Sequence, residues 1–258
     1  MKTPALKPFL NGVGRVVHHL NTIAVGLAGV EAGQCLKPDG MDISWDPKDL
    51  TTSSRSARRF ALDSALVFVA EELCAYVQVI RGLPSTIGIL DSSGDLDRAS
   101  RFSDLAAALK VEEPDLIVGP LLLIHWRNRL IHKGSKASLT KKQKRVFLEA
   151  SELLVDRYKN FCPQMALKQF EGRRATLKDV SSLTAMTINA VKAIDERVPE
   201  PGNREELLAW LDQFGLRAEL DRVMRIPAAN PQRAVENFFS TYCPSLKASY
   251  NRYGVADA

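Results

Sequence analysis

Polar residues interrupt an apolar stretch in the middle of the chain, LLLIHWRNRLIHKGS at residues 121–135. On a helix, His125, Asn128 and His132 have the spacing i, i+3 and i+7 and therefore share one side. Arg127 lies five residues before His132, about 140° around an ideal helix. Its guanidinium can reach the imidazole through the length of its side chain or through an unwound helix end. The spacing therefore predicts a polar cluster at this helix.

The side chains of this cluster suit chemistry at a phosphate group. An arginine gives a phosphate a permanently charged, bidentate contact, and a histidine titrates near neutrality, so it can act as general acid or base. An asparagine both donates and accepts hydrogen bonds and can orient an imidazole or a ribose. Because the sequence offers no visible set of metal ligands, we expect metal-independent RNA cleavage without a cofactor. In that reaction the 2′-OH, which DNA lacks, attacks the neighbouring phosphate and leaves a 2′,3′-cyclic end.

The hexapeptide RNRLIH, Arg127 to His132, resembles the R-x4–6-H motif of the HEPN superfamily, in which Asn, Asp or His commonly follows the arginine. The resemblance implies an α-helical bundle and a metal-independent endoribonuclease of toxin–antitoxin, abortive-infection or CRISPR-associated defence systems. It also implies a homodimer with a composite active site built from two motifs. The resemblance further implies a role for each of three residues. Arg127 holds the scissile phosphate, Asn128 has a positioning role and His132 transfers protons.

Two adjacent glutamates on an earlier predicted helix are candidates for an acidic partner of this cluster. Glu71 and Glu72 precede Leu73 on an otherwise apolar face, so we expect one to face solvent and the other to project inward toward an arginine. Some HEPN proteins carry an acidic partner residue on an earlier helix, and the resemblance implies that Glu71 or Glu72 is that residue. The sequence leaves open which of the two faces the site.

Basic residues follow the motif closely and predict a surface for the RNA backbone. The segment KASLTKKQKR at 136–145 carries five basic residues and no acidic one. A run of this kind is typical of a solvated helix start, but here it begins directly after the motif. The predicted RNA-binding residues are His125, Arg129, Lys133, Lys136, Lys141, Lys142 and Arg145. A second basic cluster comprises Arg55, Arg58 and Arg59.

The composition is that of an ordered globular protein: 258 residues, 45% hydrophobic and 25% charged, with a net charge of +5 that tolerates a polyanionic partner. The four cysteines form no C-x-x-C pair, which argues against a cysteine-based zinc site and against a disulfide framework. Since no apolar run reaches the roughly 18 residues of a membrane helix, we expect no contact with a membrane. These features predict reduced thiols and a cytoplasmic location.

Helical periodicity dominates the chain, and almost no segment alternates as a strand does. The sequence therefore predicts an all-α fold, a HEPN-like helical bundle over 1–162 with additional C-terminal helices of unknown role over 163–258. A loop is expected over 83–101. The predicted helices cover 9–35, TTSS at 51–54 to Arg81, about 103–110, from after EEP at 112–114 to Gly134 with Pro120 in the first turn, 138–161, 177–197, 203–213, 215–225 and 230–242.

Three functions are compatible with this pattern. The first is the endoribonuclease described above, with RNA as substrate and an antitoxin or another defence-system protein as a possible partner. The second is a non-catalytic helical RNA-binding or regulatory subunit, which would bind RNA with steep salt dependence and leave it whole. The third is a helical ligand-binding protein in which the motif is a coincidence, and it predicts neither binding nor cleavage of RNA.

Overall fold

A computed structural model of the chain confirms the all-α prediction. The residues that it describes are 2–35, 37–90, 96–225, 231–248 and 250–254. Among these residues there are twelve α-helices and no β-strand. The helices are α1 (Leu6–Glu31), α2 (Leu50–Arg81), α3 (Pro84–Ile87), α4 (Arg98–Ala108), α5 (Pro114–Ile131), α6 (Lys141–Glu149), α7 (Ser151–Arg157), α8 (Pro163–Glu171), α9 (Leu177–Arg197), α10 (Arg204–Gln213), α11 (Arg217–Arg225) and α12 (Pro231–Tyr242), followed by two short 3₁₀ helices at Pro244–Leu246 and Tyr250–Tyr253.

Polar side chains define where several of these helices begin. Asp97 accepts a hydrogen bond from the backbone N–H of Ser100 at the start of α4. At the start of α6, Thr140 and Gln143 form a reciprocal capping box, each side chain accepting from the other's backbone N–H. Such caps satisfy N–H groups that have no partner inside the helix. They fix the start of α6 at Lys141, three residues after the predicted start at 138.

The predicted single helix over 138–161 is wrong, because the structure has two helices there. Helix α6 ends at Glu149 and α7 begins at Ser151, with Ala150 between them at ψ 9°. The hydroxyl of Ser151 donates to the carbonyl of Leu148 and competes with the helical backbone bonds at this point. The sequence contains no glycine or proline here to signal the break.

Three further predictions about helices need correction. The expected loop over 83–101 contains α3 and the start of α4, and its residues 91–95 lie outside the described residues. Helix α8 was not predicted at all; it begins with Pro163, whose fixed φ suits a first helical position. Pro120 lies in the interior of α5, since that helix begins at Pro114. In contrast, the predicted span of α9 agrees with the structure at both ends.

The chain divides by its contacts into two compact units. The described residues within 1–10, 72–117 and 187–258 form the first unit, and those within 11–71 and 118–186 form the second. Both units contain residues from either side of position 162, and a domain boundary there stays a prediction. Four helices, α1, α2, α5 and α9, contribute residues to both units.

The part of the motif helix α5 from residue 118 onward belongs to the second unit, where its side chains are packed in a core. Trp126 is fully buried and packs edge-on against Phe170 of α8, with ring centroids 5.5 Å apart. Gly119 faces Met186 of α9, and a Cβ atom at position 119 would lie 2.5 Å from the Met186 Sδ and 2.8 Å from its Cβ. Glycine is therefore required at this position, since it alone lets the two helices approach so closely.

A buried aspartate organises the first unit. The carboxylate of Asp195 accepts hydrogen bonds from the backbone N–H of Thr3 at 2.9 Å, from the Thr3 hydroxyl at 2.5 Å and from the Tyr76 hydroxyl at 3.0 Å. Burial raises the pKa of Asp195, and the hydrogen bonds from Thr3 and Tyr76 oppose that rise without cancelling it. The contacts join the segment before α1 to helices α2 and α9.

The cysteines differ strongly in burial, which predicts a difference in reactivity. Cys243 is buried, and burial raises its pKa to about 12, whereas Cys35 is exposed. Because the thiolate is the reactive form, we expect Cys243 to react with iodoacetamide at pH 7.5 about a thousandfold more slowly than Cys35. Peptide mapping by mass spectrometry measures both rates. Urea should equalise the rates, and equal rates in the native protein would contradict the burial of Cys243.

Within the described part of the chain, none of the helices combines the length and the apolar character that crossing a membrane requires.

Candidate functional site

The motif lies where the chain leaves helix α5. The helix ends at Ile131, and the backbone N–H of His132 still donates to the carbonyl of Asn128 at 3.0 Å. The chain then turns at Gly134, whose φ of +85° glycine adopts most readily. The predicted end at Gly134 was thus three residues too late. His132, which follows the last helical residue, is exposed to solvent.

The structure brings the three motif side chains together. The Nη1 of Arg127 lies 3.2 Å from the Nε2 of His132, and it donates to the Oδ1 of Asn128 at 3.1 Å. An ideal helix would hold Arg127 and His132 about 140° apart. The side chains of Arg127 and His132 nevertheless meet, at the point where α5 ends. The predicted contact of Arg127 with His132 is therefore present, and these hydrogen bonds do not include His125.

Glu71 of α2 binds the other edge of the same guanidinium. Its Oε1 accepts from the Nε of Arg127 at 2.7 Å and lies 2.6 Å from the Nη2. The structure thus answers the question that the sequence left open, since Glu71 and not Glu72 faces the arginine. The Arg127 side chain is only 10% exposed, whereas that of Glu71 is 39% exposed. Solvent therefore reaches the carboxylate more readily than the guanidinium.

These contacts bring three kinds of side chain together. The guanidinium of Arg127 carries a permanent charge and has only N–H donors. The Nε2 of His132 lies 3.2 Å from its Nη1. The cluster consequently combines a fixed positive charge, an imidazole and a carboxylate that holds the arginine in place.

Arg129, two residues further along α5, makes its contacts with other residues of this chain. Its Nε donates to the carbonyl of Ala137 at 2.7 Å, and its Nη1 lies 3.0 Å from the Oε2 of Glu171. Its guanidinium also stacks on the ring of Phe170, 3.9 Å from the ring centroid. The side chain is 11% exposed. This geometry favours a role in holding the turn after α5 against α8, and RNA binding by Arg129 stays a prediction.

Glu171 connects this arginine to helix α6. Its Oε1 accepts from Lys144 at 3.2 Å while its Oε2 binds Arg129. Partial burial alone would raise the pKa of Glu171, but the hydrogen bonds from Arg129 and Lys144 outweigh burial and lower it. Sequence reasoning missed Glu171, Phe170 and Lys144 because their part in the site depends on helix α8, which the sequence did not predict.

The remaining predicted RNA-binding residues surround the end of α5 and the start of α6. Five of them are exposed, namely Lys133, Lys136, Lys141, Lys142 and Arg145. His125 is half-buried, just under one helical turn before Asn128. Arg145 forms an ion pair with Glu149 at 3.7 Å on the surface of α6. These five exposed residues, which we call the basic border, follow His132 along the chain from the turn after α5 into α6. Their contact with RNA stays a prediction.

The described residues contain no group of three or more His, Cys, Asp or Glu side chains placed to hold a metal ion. A largely apolar cavity of about 320 Å³ lies between α1 and α2, where its lining includes Leu20, Leu27, Leu62 and Arg58. None of the residues that line this cavity belongs to the motif cluster. The candidate site is therefore a surface site at a helix end.

Comparisons of the chain with protein-family models, with curated proteins and with solved structures find no match.

Proposed function

We propose that this protein is a metal-independent endoribonuclease of the HEPN type. One observation carries the proposal: the Arg127 guanidinium is held on one edge by Glu71 and contacts Asn128 and the Nε2 of the exposed His132 on the other. A phosphodiester requires a cation for its charge and a proton acceptor beside it. In this cluster the cation is the Arg127 guanidinium and the proton acceptor is the His132 imidazole, and their nitrogens lie 3.2 Å apart.

In the proposed reaction a base takes the proton of the ribose 2′-OH, and the 2′-oxygen forms a bond to the adjacent phosphorus. The bond from phosphorus to the 5′-oxygen breaks, and an acid gives that oxygen its proton. The products are a 2′,3′-cyclic phosphate and a 5′-hydroxyl. Arg127 stabilises the charge that develops on the phosphorane, while Glu71 and Asn128 orient the guanidinium. His132 is the base through Nε2, which becomes free when the phosphate binds Arg127.

A second copy of the chain completes this mechanism. One histidine cannot be the base and the acid in the same step, so a homodimer would supply the second group. The face of α2 that carries Glu71 also carries Phe60 and Phe68, which are 75% and 61% exposed. Large exposed aromatic side chains are enriched at protein interfaces. They support pairing of two chains along α2, with a composite active site as its result.

The first test is cleavage of labelled RNA by the purified protein, with DNA of the same sequence as control. We expect cut RNA with 2′,3′-cyclic ends and intact DNA, because only RNA has the nucleophile. EDTA should leave the rate unchanged. The readout is a denaturing gel before and after enzymatic removal of the cyclic phosphate. Loss of cleavage on adding EDTA, or 3′-hydroxyl products, would rule out the proposed chemistry.

A second candidate function is binding of RNA without cleavage, and the exposed basic border around His132 favours it. In that case RNA stays intact in the same assay and its affinity falls steeply with salt. The protein would then act as a regulatory subunit, with an antitoxin or another defence-system protein as a possible partner. The cytoplasm is the location we propose for either function.

A further inference from the structure

The C-terminal end of α8 joins the motif region to a second group of arginines. The carbonyl of Phe170 accepts a hydrogen bond from the Nη1 of Arg129 at 3.3 Å and from the backbone N–H of Arg173 at 3.2 Å. The carbonyl of Arg173 in turn accepts from the Nη2 of Arg59 on α2, at 2.7 Å. Arg174 follows in the chain. These contacts form a continuous path from the end of α5 to the N-terminal half of α2.

Three arginines at the end of this path present charge to solvent. Arg173 and Arg174 are exposed, and the side chain of Arg59 is 52% exposed. We call Arg59, Arg173 and Arg174 the arginine surface.

Neighbouring acids leave most of the charge of this surface available. Glu171 is two residues from Arg173, but Lys144 and Arg129 occupy its two oxygens. Asp63 is 3.9 Å from the Nε of Arg59, beyond ordinary hydrogen-bond distance. Burial raises the pKa of Asp63, and Arg59 opposes this rise only in part.

We propose that the arginine surface binds the backbone of the same RNA strand that the motif cluster cleaves. This inference rests on the proposed function. A guanidinium suits phosphate contacts because its planar donors match phosphate oxygens. A strand that contacts both groups of side chains makes more phosphate contacts than one that contacts the cluster alone, so we expect it to bind more tightly.

The backbone at Arg173 allows a clean removal of one charge. Arg173 has a φ of +52° and stands one residue beyond the cap of α8, with the Arg174 N–H bonded to the carbonyl of Gln169. Glycine is favoured at this position of a helix end. Arg173→Gly should therefore keep or raise the thermal midpoint while it deletes a cation. Lys110 has the same place after α4, with a φ of +54° and the same pattern of backbone bonds, so Lys110→Gly is a matched control.

The experiment measures binding of a labelled 20-nucleotide single-stranded RNA to the full chain, with His132→Ala in the background to prevent cleavage. We expect Arg173→Gly and Arg174→Ala each to weaken binding about fivefold and to reduce the salt slope by about 0.7. Lys110→Gly should leave both quantities unchanged.

Other outcomes would overturn the arginine surface. If Lys110→Gly weakens binding as much as Arg173→Gly, the effect is one of net charge. If the arginine variants lower the thermal midpoint and leave RNA affinity unchanged, the arginines stabilise the C-terminal end of α8 by interacting with the helix dipole and do not bind RNA. Cleavage by the wild-type protein is measured separately. The proposed function therefore fails if the wild type leaves RNA whole, and the arginine surface fails if the binding constants do not change.

Discussion

Replacement of His132 by alanine is expected to lower the single-turnover rate constant of RNA cleavage about a thousandfold, because proton transfer by a positioned side chain contributes roughly that factor. Arg127→Ala should have a similar effect, since the charge on the phosphorane loses its cation. Arg127→Lys keeps a charge but loses the planar donors that contact Glu71, Asn128 and His132 together, so it should rescue little. The measurement is quenched-time cleavage of end-labelled RNA.

The chain offers matched controls for these variants. His19→Ala removes an exposed histidine of α1 that has no part in the cluster, and it should cleave at nearly the wild-type rate. Glu72→Gln should behave likewise, whereas Glu71→Gln loosens the hold on the Arg127 guanidinium and should slow cleavage. Because His132 is exposed, His132→Ala should keep the wild-type unfolding midpoint. Full activity of both His132→Ala and Arg127→Ala would end the assignment.

A substantial loss of stability is expected on substitution of Asp195. Asp195→Ala should lower the free energy of unfolding by about 2 kcal/mol, because it leaves the donors of Thr3 and Tyr76 without their acceptor in a buried place. Urea unfolding followed by circular dichroism measures the loss. Asp156, which is exposed on α7, provides a control substitution that should change stability by less than about 0.5 kcal/mol. An equal effect of the two substitutions would show that the buried network does not stabilise the fold.

This loss should depend on pH with a defined sign. Burial raises the pKa of Asp195 above its value in the unfolded chain, so folding favours the protonated carboxyl. The contribution of the group to stability is therefore complete below the unfolded value, near pH 4, and decreases as pH rises through the folded pKa. Consequently the difference in stability between the wild type and Asp195→Ala should shrink between pH 4 and pH 7. A difference that grows over this range would contradict the raised pKa.

Sequence periodicity predicted the long helices well because a regular apolar face determines them. Helix α9 has such a face along its whole length, and the end of α2 at Arg81 is followed by the Gly-Leu-Pro turn. Short helices were less predictable. Helix α8 was missed, although α11, which also has nine residues, was predicted. The break at Ala150 lies beside the hydrogen bond from the Ser151 hydroxyl to the Leu148 carbonyl. No glycine or proline near this position predicts the break.

The candidate site was predictable in its motif and not in its surroundings. The spacing of Arg127 and His132 was visible in the sequence, but their contact depends on where α5 ends. Glu71 and Glu72 point about 100° apart on a helix, and only the rotation of α2 in the fold decides between them. The contacts of Glu171 with Arg129 and Lys144 join three helices, so local sequence could not reveal them.

The contact between Gly119 and Met186 has a consequence for genetics. Any side chain at position 119 must push α5 away from α9, two helical turns before Arg127. A selection for cells that survive expression of an active ribonuclease would therefore recover substitutions at Gly119 beside those at the motif. Gly119 has no side chain with which to contact RNA. Residues recovered in such a selection would thus divide into those that perform the chemistry and those that hold the motif helix where the chemistry occurs.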